Sequence, residues 1–467
     1  MNCHFFEVPV FHIWTWFIED MQEPQLRIRV PTSKLTMFFK YFFYLQCFLM
    51  VILTIYFGPY AIFSSGGHPF HRMKWFAPML TSGGIAALLG FLWQWLIARK
   101  PATAVGMHFW LINCTPTWIL GLLLIAMYTP GSLAAGILVL ICGLIQSLYC
   151  CWITSRVNYA KRVLSAATSN PPAKLNAILI PTMLYSILYA CLLVSGILGI
   201  TATRKPVYRI IIPVILLSLV WTMTVIRIVI LVTISGIKYI RYVRKSTVQT
   251  LPELWDYLDN SMGYICIASA VVPVLEFIRL TARMRLLARF NSEFLLSCAN
   301  WYSSWAARMI MFGNRWGFVH VGVYSQAIKE ASIDTLGQLR RAKMEVLILS
   351  DLTGPFCFLS AVAGGAICSL VGGIWTFAVE KSYATEITLY AFLIGYLMIQ
   401  LAMAWPHACI LAYYVAYSER PQHFQNDTTI PDRMEELQRE NEEKKDEGSS
   451  APPSTAPPTP SPQPHTS

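Results

Sequence analysis

Apolar residues along the chain are gathered into runs of about 20, separated by short polar segments. A helix of that length crosses the hydrocarbon layer of a bilayer, whereas the two-residue alternation of a membrane barrel is absent. The pattern predicts an all-α, polytopic membrane helical bundle with about ten transmembrane helices. The candidate spans are 38–58, 77–98, 106–128, 131–153, 176–200, 209–236, 257–280, 293–312, 345–379 and 386–417.

Two of these spans depart from a plain apolar run. The window 293–312 is only moderately apolar, and the window 345–379 is longer than a straight crossing needs. Because proline has no amide hydrogen to donate to the preceding turn, we expect Gly354-Pro355 to interrupt the longer window.

The two ends of the chain differ in character from the spans. Residues 1–37 predict a cytoplasmic, interfacial segment whose Trp and Phe side chains lie at headgroup level. Residues 38–417 form the predicted ten-helix transmembrane domain. Residues 418–467 predict a cytoplasmic tail, with a charged, solvent-exposed helix over RMEELQRENEEKKDE and then a disordered segment rich in Pro, Ser and Thr.

Composition and charge fit an integral membrane protein. Hydrophobic residues make up 55% of the chain and charged residues 13%, against roughly 25% charged residues in a soluble domain. Lys and Arg concentrate in alternate loops, and the positive-inside rule then places both termini in the cytosol. The formal net charge of +11 suits an anionic inner leaflet, so membrane lipids rather than nucleic acid are the expected partners. The expected location is the plasma membrane, with an organelle membrane as the alternative.

Motifs of membrane enzymes are absent from the sequence. There is no H-E-x-x-H, phosphate-binding loop, G-x-S-x-G or Asp-rich metal cluster. The 12 cysteines are scattered, apart from Cys150-Cys151, and none has the spacing of metal ligands. We therefore expect no catalytic activity, no cofactor and no metal.

Aromatic residues inside the spans are candidates for a binding site. Ring faces attract a quaternary ammonium, which has no N–H to donate, so an uncharged aromatic wall fits such a cation. The alternative for each ring is packing or a place in the interfacial belt. The predicted binding residues are Trp118, Tyr185, Tyr189, Trp221, Thr222, Tyr302 and Trp305.

Two charged residues inside the spans are further candidates. Arg227 lies deep in the sixth span, and Glu276 lies near the end of the seventh. A charge at membrane depth is costly, so it either serves function or is neutralised by a partner. Glu276 precedes Arg279 by three residues, and a local pair or snorkelling is the alternative for it.

The stretch FGNRWGFVHVGVYSQAIKEASIDTLGQLRR, residues 312–341, follows the eighth span. We expect Asn314-Arg315 to cap the helix end and meet headgroup phosphates, FVHVGVY to lie along the interface, and the remainder to form a surface helix. The stretch resembles the motif after the eighth span in the choline transporter-like family. The matching positions are Asn314, Arg315, Gly317, Phe318, Val319, Val321, Gly322, Val323, Ala331 and Asp334. The chain also lacks the long outer loop that follows the first span in animal members, as in the shorter fungal and plant branch of that family.

A second stretch, WTMTVIRIVILVTISG at residues 221–236, is similar to the sixth-span motif of the same family. The matching positions are Trp221, Thr222, Val225, Ile226, Val232, Thr233, Ser235 and Gly236. Ile228 and Leu231 stand where many members have Asn and His. The motif residues that we expect to be structural are Asn314, Arg315, Asp334, Thr233 and Gly236.

The resemblance implies ten helices with cytoplasmic termini and transport of choline or a related amino alcohol, such as ethanolamine, by alternating access. The implied partner is a small cationic substrate such as choline, and Arg227 and Glu276 become candidates for the charge that couples transport to an ion. The alternative is a non-transporting membrane scaffold or regulator of the same fold, with the disordered tail as its binding element. The sequence identifies no protein partner of that tail.

Overall fold

The structure is a computed structural model. It describes residues 33–63, 72–101, 107–152, 157–169, 171, 175–203, 210–244, 261–271, 274, 313–324, 326–344, 347–348, 351–425 and 427–449. Over these ranges the regular secondary structure is helical, and no strand occurs among them. The all-α class predicted from the apolar runs is therefore confirmed.

Fourteen α-helices have bounds within the described ranges and are numbered here in chain order. They are α1 (Ser33–Phe63), α2 (Arg72–Arg99), α3 (Met107–Ala126), α4 (Pro130–Trp152), α5 (Val157–Thr168), α6 (Leu175–Thr203), α7 (Ile211–Arg244), α8 (Ser261–Val271), α9 (Phe318–Tyr324), α10 (Ile328–Arg341), α11 (Thr353–Val379), α12 (Ala384–Ala402), α13 (Ala404–Glu419) and α14 (Thr429–Ser449). A short 3-10 turn, Arg315–Gly317, precedes α9.

Seven stretches within the described ranges are long and apolar enough to cross a membrane. They lie in α1, α2, α4, α6, α7, α11 and the pair α12–α13. Two shorter apolar stretches, Asn113–Ala126 of α3 and Ser261–Val271, fall in the predicted third and seventh spans. Residues 1–32 and the predicted eighth span, 293–312, lie outside the described residues. The chain is thus a multi-pass helical membrane protein, and the total of ten spans stays a prediction.

The predicted interruption near Gly354-Pro355 is confirmed. Helix α11 begins at Thr353, and Asp351-Leu352 before it are not helical. Asp351 Oδ1 accepts hydrogen bonds from the Thr353 amide at 3.2 Å and from the Thr353 hydroxyl at 2.5 Å, so the carboxylate satisfies a donor that the first turn leaves free. Pro355 fits in this first turn because an amide there has no partner within the helix.

The last predicted span, 386–417, is two helices rather than one. A turn at Met403 separates α12 from α13, and Pro406 follows in the first turn of α13. Proline cannot donate to the carbonyl four residues before it, so the continuous helix is interrupted there. Every residue from 404 to 416 is buried, which makes α13 a central helix of the bundle. It packs against α7 and α5.

Helix α5 lies between the predicted spans 131–153 and 176–200, where the apolar runs predict no helix. Its apolar residues recur at helical spacing instead of forming a continuous run, so a search for long apolar windows misses it. The buried residues of α5 are Val157, Tyr159, Val163, Leu164, Ala167 and Thr168. The helix contacts both α13 and α14.

The charged helix predicted in the tail is present as α14, but its first turns are docked onto the bundle. Ile430 is fully buried. Asp432 pairs with Arg162 of α5 at 3.5 Å, and the Arg433 guanidinium lies 5.6 Å from the centre of the Tyr159 ring. The expectation of a solvent-exposed helix is corrected for these turns, because the apolar contact and the ion pair hold them against α5. The segment predicted to be disordered lies outside the described residues.

Candidate functional site

A buried group of hydroxyls joins α1, α6 and α7. The Tyr189 hydroxyl lies 2.7 Å from Ser218 Oγ and accepts a hydrogen bond from Thr222 Oγ1 at 3.2 Å. Gln46 Nε2 donates to the Tyr189 hydroxyl at 3.3 Å and also to Ser218 Oγ. Ser218 and Thr222 are four residues apart on α7, so both face α6 across one helical turn. We call Gln46, Tyr189, Ser218 and Thr222 the hydroxyl cluster.

Tyr185 extends the hydroxyl cluster towards the surface of α6. Its ring stacks on that of Tyr189, with centres 6.2 Å apart and an interplanar angle of 12°. Tyr185 is 47% exposed and Tyr189 is 5% exposed, so the stacked pair connects the helix surface with the buried hydroxyls. Gln46 and Ser218 were not among the predicted residues. A lone amide inside the apolar run 38–58 is the signal that could have identified Gln46.

Trp221 is adjacent to Thr222 on α7 but faces a different side of that helix. Its indole Nε1 donates to Ser269 Oγ of α8 at 2.9 Å. The rings of Phe42 and Phe43 of α1 lie 5.5 and 5.7 Å from the Trp221 ring, centre to centre. Trp221 is therefore part of an aromatic group shared by α1 and α7, and its indole nitrogen already has a partner on α8.

Trp118, the remaining predicted binding residue that the structure describes, does not join these two groups. Trp118 donates from Nε1 to Ser147 Oγ at 3.1 Å and lies against Gly143, so it connects α3 with α4. The Trp118 side chain is also partly exposed. The predicted residues outside the described ranges are Tyr302, Trp305 and Glu276.

Arg227 and His407 form a second polar group, which lies further along α7 than the hydroxyl cluster. Arg227 Nε is buried and has no hydrogen-bond partner among the described residues. His407, in the first turn of α13, is also buried, and neither of its ring nitrogens has a partner there. Arg227 and Arg315 both interact electrostatically with His407. Unpaired polar atoms in an apolar interior are costly, so this group is a further candidate for function. His407 was not predicted, although it is a titratable residue directly after Pro406 in an apolar run.

Arg315 forms an ion pair with Asp351, just before α11 begins. Its Nη2 lies 3.1 Å from Asp351 Oδ2, and the Asp351 side chain is 4% exposed. Because Asp351 also accepts from the Thr353 amide at the start of α11, the ion pair ties the motif segment to the interrupted ninth span. The expectation that Arg315 meets headgroup phosphates is corrected, because its guanidinium binds this carboxylate. Asn314 caps the 3-10 turn that follows it, since its side chain accepts from the Trp316 amide at 3.4 Å.

The FVHVGVY run is a buried helix, α9, that packs against other helices, and its placement at the membrane interface stays a prediction. Its buried residues are Phe318, Val319, His320, Val321 and Gly322. Gly236 of α7 and Gly322 approach so closely that a Cβ on Gly236 would lie 2.6 Å from the Gly322 carbonyl oxygen. Two glycines without side chains allow α9 to pack directly onto α7.

The last two motif residues differ in their surroundings. Thr233 of α7 is buried, and its Oγ1 has no hydrogen-bond partner in the part of the chain that the structure describes. Asp334 is exposed on α10. The surface helix predicted for this stretch is present as α10, with one buried face. That face consists of Ile328, Ala331, Ser332, Thr335 and Leu339.

Comparison with known proteins identifies relatives over parts of the chain. Protein PNS1 of Gibberella zeae is 24% identical over 153 residues, which cover 30% of this chain and 28% of that protein. The CTL-like protein of Dictyostelium discoideum is 20% identical over 167 residues, or 35% of this chain and 30% of that protein. Protein pns1 of Aspergillus fumigatus is 26% identical over 120 residues, or 24% and 22%. The matched segments span less than a third of each relative.

A family profile covers more of the chain than these relatives do. The profile described as plasma-membrane choline transporter matches residues 137–422, which is more than half of the 467 residues. That range includes α7, the contact between Gly236 and Gly322, and the ion pair between Arg315 and Asp351. The chain belongs to the choline transporter-like family.

Proposed function

We propose that this protein transports choline or a related amino alcohol across its membrane by alternating access. Membership of the choline transporter-like family supports transport as the activity. The observation that carries the choice of substrate is the hydroxyl cluster at the contact of α1, α6 and α7, with aromatic rings on neighbouring sides.

The two ends of an amino alcohol need different partners, and both kinds are present. The substrate hydroxyl can form hydrogen bonds with Tyr189, Ser218 and Thr222 in place of some of the bonds among them, because each hydroxyl both donates and accepts. A quaternary ammonium cannot donate hydrogen bonds and binds ring faces, which Tyr185 and Trp221 offer. Ring faces are therefore the proposed partners of the positive charge, and among the described residues no carboxylate hydrogen-bonds to the hydroxyl cluster.

We further propose ten transmembrane helices with both termini in the cytosol, as the loop charges and the family resemblance indicate. The chain is then divided into an interfacial segment at 1–37, a transporter domain at 38–417 and a cytoplasmic tail at 418–467. At the end of the bundle where α7 and α13 finish, α10 carries Arg340 and Arg341 in its last turn, which suits an anionic inner leaflet. The proposed membrane is the plasma membrane, and an organelle membrane is the alternative.

The turn at Met403 is the proposed hinge of the transport cycle. It divides one long apolar stretch into α12 and α13, and a broken helix allows its two halves to move separately. His407 lies one turn beyond this break and, like Arg227 of α7, has buried nitrogen without a hydrogen-bond partner among the described residues. Arg227 is therefore the candidate coupling charge whose surroundings change when α13 moves, and Glu276 stays the second candidate.

Uptake of radiolabelled choline into cells that lack their own choline carriers tests the proposal. Cells that express the chain should accumulate choline above vector controls. Tyr189→Phe should reduce uptake, because it removes the hydroxyl that joins Gln46, Ser218 and Thr222. Tyr41→Phe is the matched control, since Tyr41 is an exposed ring on α1. No uptake by correctly folded protein at the cell surface contradicts the proposal and favours the scaffold alternative.

A further inference from the structure

Two free thiols face each other between α3 and α4. The Sγ atoms of Cys114 and Cys150 lie 3.5 Å apart, although the two residues are 36 positions apart in the chain. Both side chains are buried, with Cys114 at 7% and Cys150 at 1% exposed. Neither belongs to the hydroxyl cluster or to the group formed by Arg227 and His407, so the proposed transport function does not use them.

Neighbouring contacts hold α3 and α4 in the register that brings the two sulfur atoms together. Thr117 Oγ1 donates to Gln146 Oε1 at 3.2 Å, and Gln146 Nε2 donates to the Asn113 carbonyl at 3.2 Å. Further along the same pair of helices, a Cβ on Gly121 would lie 2.6 Å from Leu140 Cδ2. A slide of α3 along α4 would break these hydrogen bonds and disturb this close packing, so the two thiols stay opposite each other.

The separation of the two sulfur atoms suits the formation of a disulfide. An S–S bond is about 2.0 Å long, so the sulfur atoms must approach by about 1.5 Å. Each then moves by less than about 1 Å, which rotation of the side chains and small shifts of the helices supply. In the reduced state, the thiols share at most a weak hydrogen bond, because sulfur is a weak donor and a weak acceptor. Little interaction is therefore lost when the covalent bond forms.

The thiol pair lies near one end of a span rather than in the middle of the bilayer. The apolar stretch of α4 ends at Cys151, the residue next to Cys150. The amide of Gln146 lies one turn away and makes this part of the contact polar. Hydrogen peroxide is small and uncharged, so it reaches this depth. Cys114 has more exposed surface than Cys150, so it is the thiol that the peroxide meets first.

The compartment at this end decides the resting state of the pair. In the proposed topology, α4 ends in the cytosol, where glutathione and thioredoxin keep thiols reduced. Disulfides that form there are usually transient and redox-sensing. We propose that Cys114 and Cys150 are a redox-sensitive modification site, which a peroxide converts from two thiols into a disulfide between α3 and α4. The cytosolic placement rests on the proposed function, whereas the contact between the thiols does not.

The conversion takes two steps. The Cys114 sulfur attacks one oxygen of hydrogen peroxide, so that an S–O bond forms and the O–O bond breaks. Cys114 becomes a sulfenic acid, oxidised by two electrons, and the other oxygen leaves as water with the thiol proton. The Cys150 sulfur then attacks the Cys114 sulfur, the S–S bond forms, and the hydroxyl leaves as water with the proton of Cys150. Glutathione reverses the modification by thiol–disulfide exchange.

Peptide mapping of purified, full-length protein in lipid nanodiscs tests the proposal. After treatment with hydrogen peroxide, the protein is denatured in acid and its free thiols are alkylated. The parent should give two peptides joined through Cys114 and Cys150, which dithiothreitol separates. Cys150→Ala blocks the second step, so dimedone, a reagent for sulfenic acids, should label Cys114 in this variant. Cys142→Ala is the matched control, because Cys142 is an exposed thiol on α4, and it should give the joined peptides of the parent.

Thermal unfolding gives a second measurement on the same proteins. A disulfide restricts the unfolded chain, so the oxidised parent should have a midpoint about 3 °C or more above that of the reduced parent. Dithiothreitol should abolish the difference. Cys114→Ala and Cys150→Ala should show no such shift with peroxide, whereas Cys142→Ala should show the shift of the parent. The same melts establish that each variant is folded.

Three results would overturn the assignment. In the first, Cys114 and Cys150 stay unlinked after peroxide has oxidised the exposed thiols of Cys142 and Cys191, and the pair is then packing alone. In the second, peroxide links separate chains in place of the two residues within one chain. In the third, the disulfide is already present in cells that were alkylated before lysis, which contradicts both the reversible response and the proposed cytosolic placement.

The failure of this site and the failure of the proposed transport are distinguishable, because choline uptake is measured separately. Absence of uptake by protein that forms the disulfide between Cys114 and Cys150 contradicts transport and supports the modification site. Uptake by protein whose two thiols stay unlinked under peroxide supports transport and overturns the modification site.

Discussion

Gly236 of α7 and Gly322 of α9 are in direct backbone contact. A Cβ on Gly236 would lie 2.6 Å from the Gly322 carbonyl oxygen, and a Cβ on Gly322 would lie 2.5 Å from the Val232 carbonyl oxygen. Both distances are too short for carbon against oxygen, so a side chain at either position separates the two helices. The contact joins the two stretches of sequence that carry the family resemblance, one on each helix.

Gly236→Ala should lower the free energy of unfolding by about 1–3 kcal/mol, the usual cost of overpacking. The methyl group has no space between α7 and α9, and the backbone carbonyl of Gly322 cannot rotate away as a side chain could. Thermal unfolding of the solubilised protein should show a lower midpoint than for the parent.

Gly337→Ala on α10 is the matched control for this substitution. Nothing lies within 4 Å of a Cβ at Gly337, and alanine is the better helix former. Its midpoint should be unchanged or higher. If Gly236→Ala and the control have the same midpoint of thermal unfolding, the spacing of α7 and α9 adjusts freely and the contact has no structural role.

Arg315→Ala should lower the folded yield or the turnover while leaving the choline KM nearly unchanged. Removing one partner of a buried ion pair costs about 3 kcal/mol, because it leaves the other charge without compensation. Here the residue left behind is Asp351, whose side chain is 4% exposed and whose carboxylate accepts from the first amide of α11. Arg315→Lys keeps the charge but loses the planar guanidinium, so its yield should be intermediate.

A double variant separates the loss of the ion pair from a role in substrate binding. Arg315→Gln combined with Asp351→Asn leaves no charge unpaired, and Asn still accepts at the helix start. Its yield should exceed that of Arg315→Ala in fluorescence-detected size exclusion. A large change of KM at normal yield, in any of these variants, would instead place Arg315 in the binding site.

The long helices were predictable from the sequence because lipid imposes one requirement on them. Every backbone polar group must be satisfied within the helix, so the length of an apolar run decides the element. The windows 131–153 and 176–200 correspond to α4 and α6 within a few residues. Helix α5 depends on the helical spacing of its apolar residues, and the turn at Met403 depends on the missing amide hydrogen of Pro406. Neither feature changes the length of an apolar run, so run length does not predict them.

The candidate site could be predicted only where its members are close in sequence. The i,i+4 spacing of Tyr185 and Tyr189 predicts a shared face, and their stacked rings confirm it, while their role in binding stays a prediction. Gln46 donates to Ser218, a residue 172 positions further along the chain, and no local pattern contains such a pair. The same holds for Arg315 and Asp351, whose pairing depends on where α11 begins.

His320→Gln should reduce the loss of stability that acid causes. Burial holds the pKa of His320 below the ordinary value of 6.5, so the unfolded chain takes up this proton first as the pH falls. The contribution of His320 to stability is therefore complete above pH 6.5 and is lost as the pH falls towards the pKa of the folded state. Melting midpoints of parent and variant at about pH 7.5 and about pH 5 measure the difference.

The comparison of parent and variant isolates His320 from other titrating groups, because these are common to both proteins. Glutamine can still accept from or donate to Thr335, whose Oγ1 lies 3.0 Å from His320 Nδ1, so the variant keeps a neutral hydrogen bond and loses only the group that takes up a proton. On going from the higher to the lower pH, the melting temperature of the parent should fall more than that of His320→Gln. An identical acid shift in both proteins would mean that His320 has the same pKa folded and unfolded.

Trp221→Leu should weaken choline binding by roughly thirty-fold, because a desolvated cation–π contact contributes about 2 kcal/mol and each 1.4 kcal/mol is a factor of ten. Trp221→Phe keeps a smaller ring and should retain part of the affinity. The choline KM of uptake, measured at equal surface expression, gives the comparison. Both variants also lose the hydrogen bond from the indole to Ser269, which needs a control of its own.

Ser269→Ala removes that hydrogen bond and leaves the indole in place. It therefore shows how much of the change in KM is caused by loss of the contact that positions α8. Trp375→Leu on α11 is the matched control for loss of an exposed indole elsewhere in the bundle. If Ser269→Ala raises KM as much as Trp221→Leu does, the hydrogen bond and not the ring carries the effect. If Trp221→Leu takes up choline as the parent does, the rings of Phe42, Phe43 and Trp221 are packing alone. The cation would then depend on the stacked pair at Tyr185 and Tyr189, the other ring faces that adjoin the hydroxyl cluster.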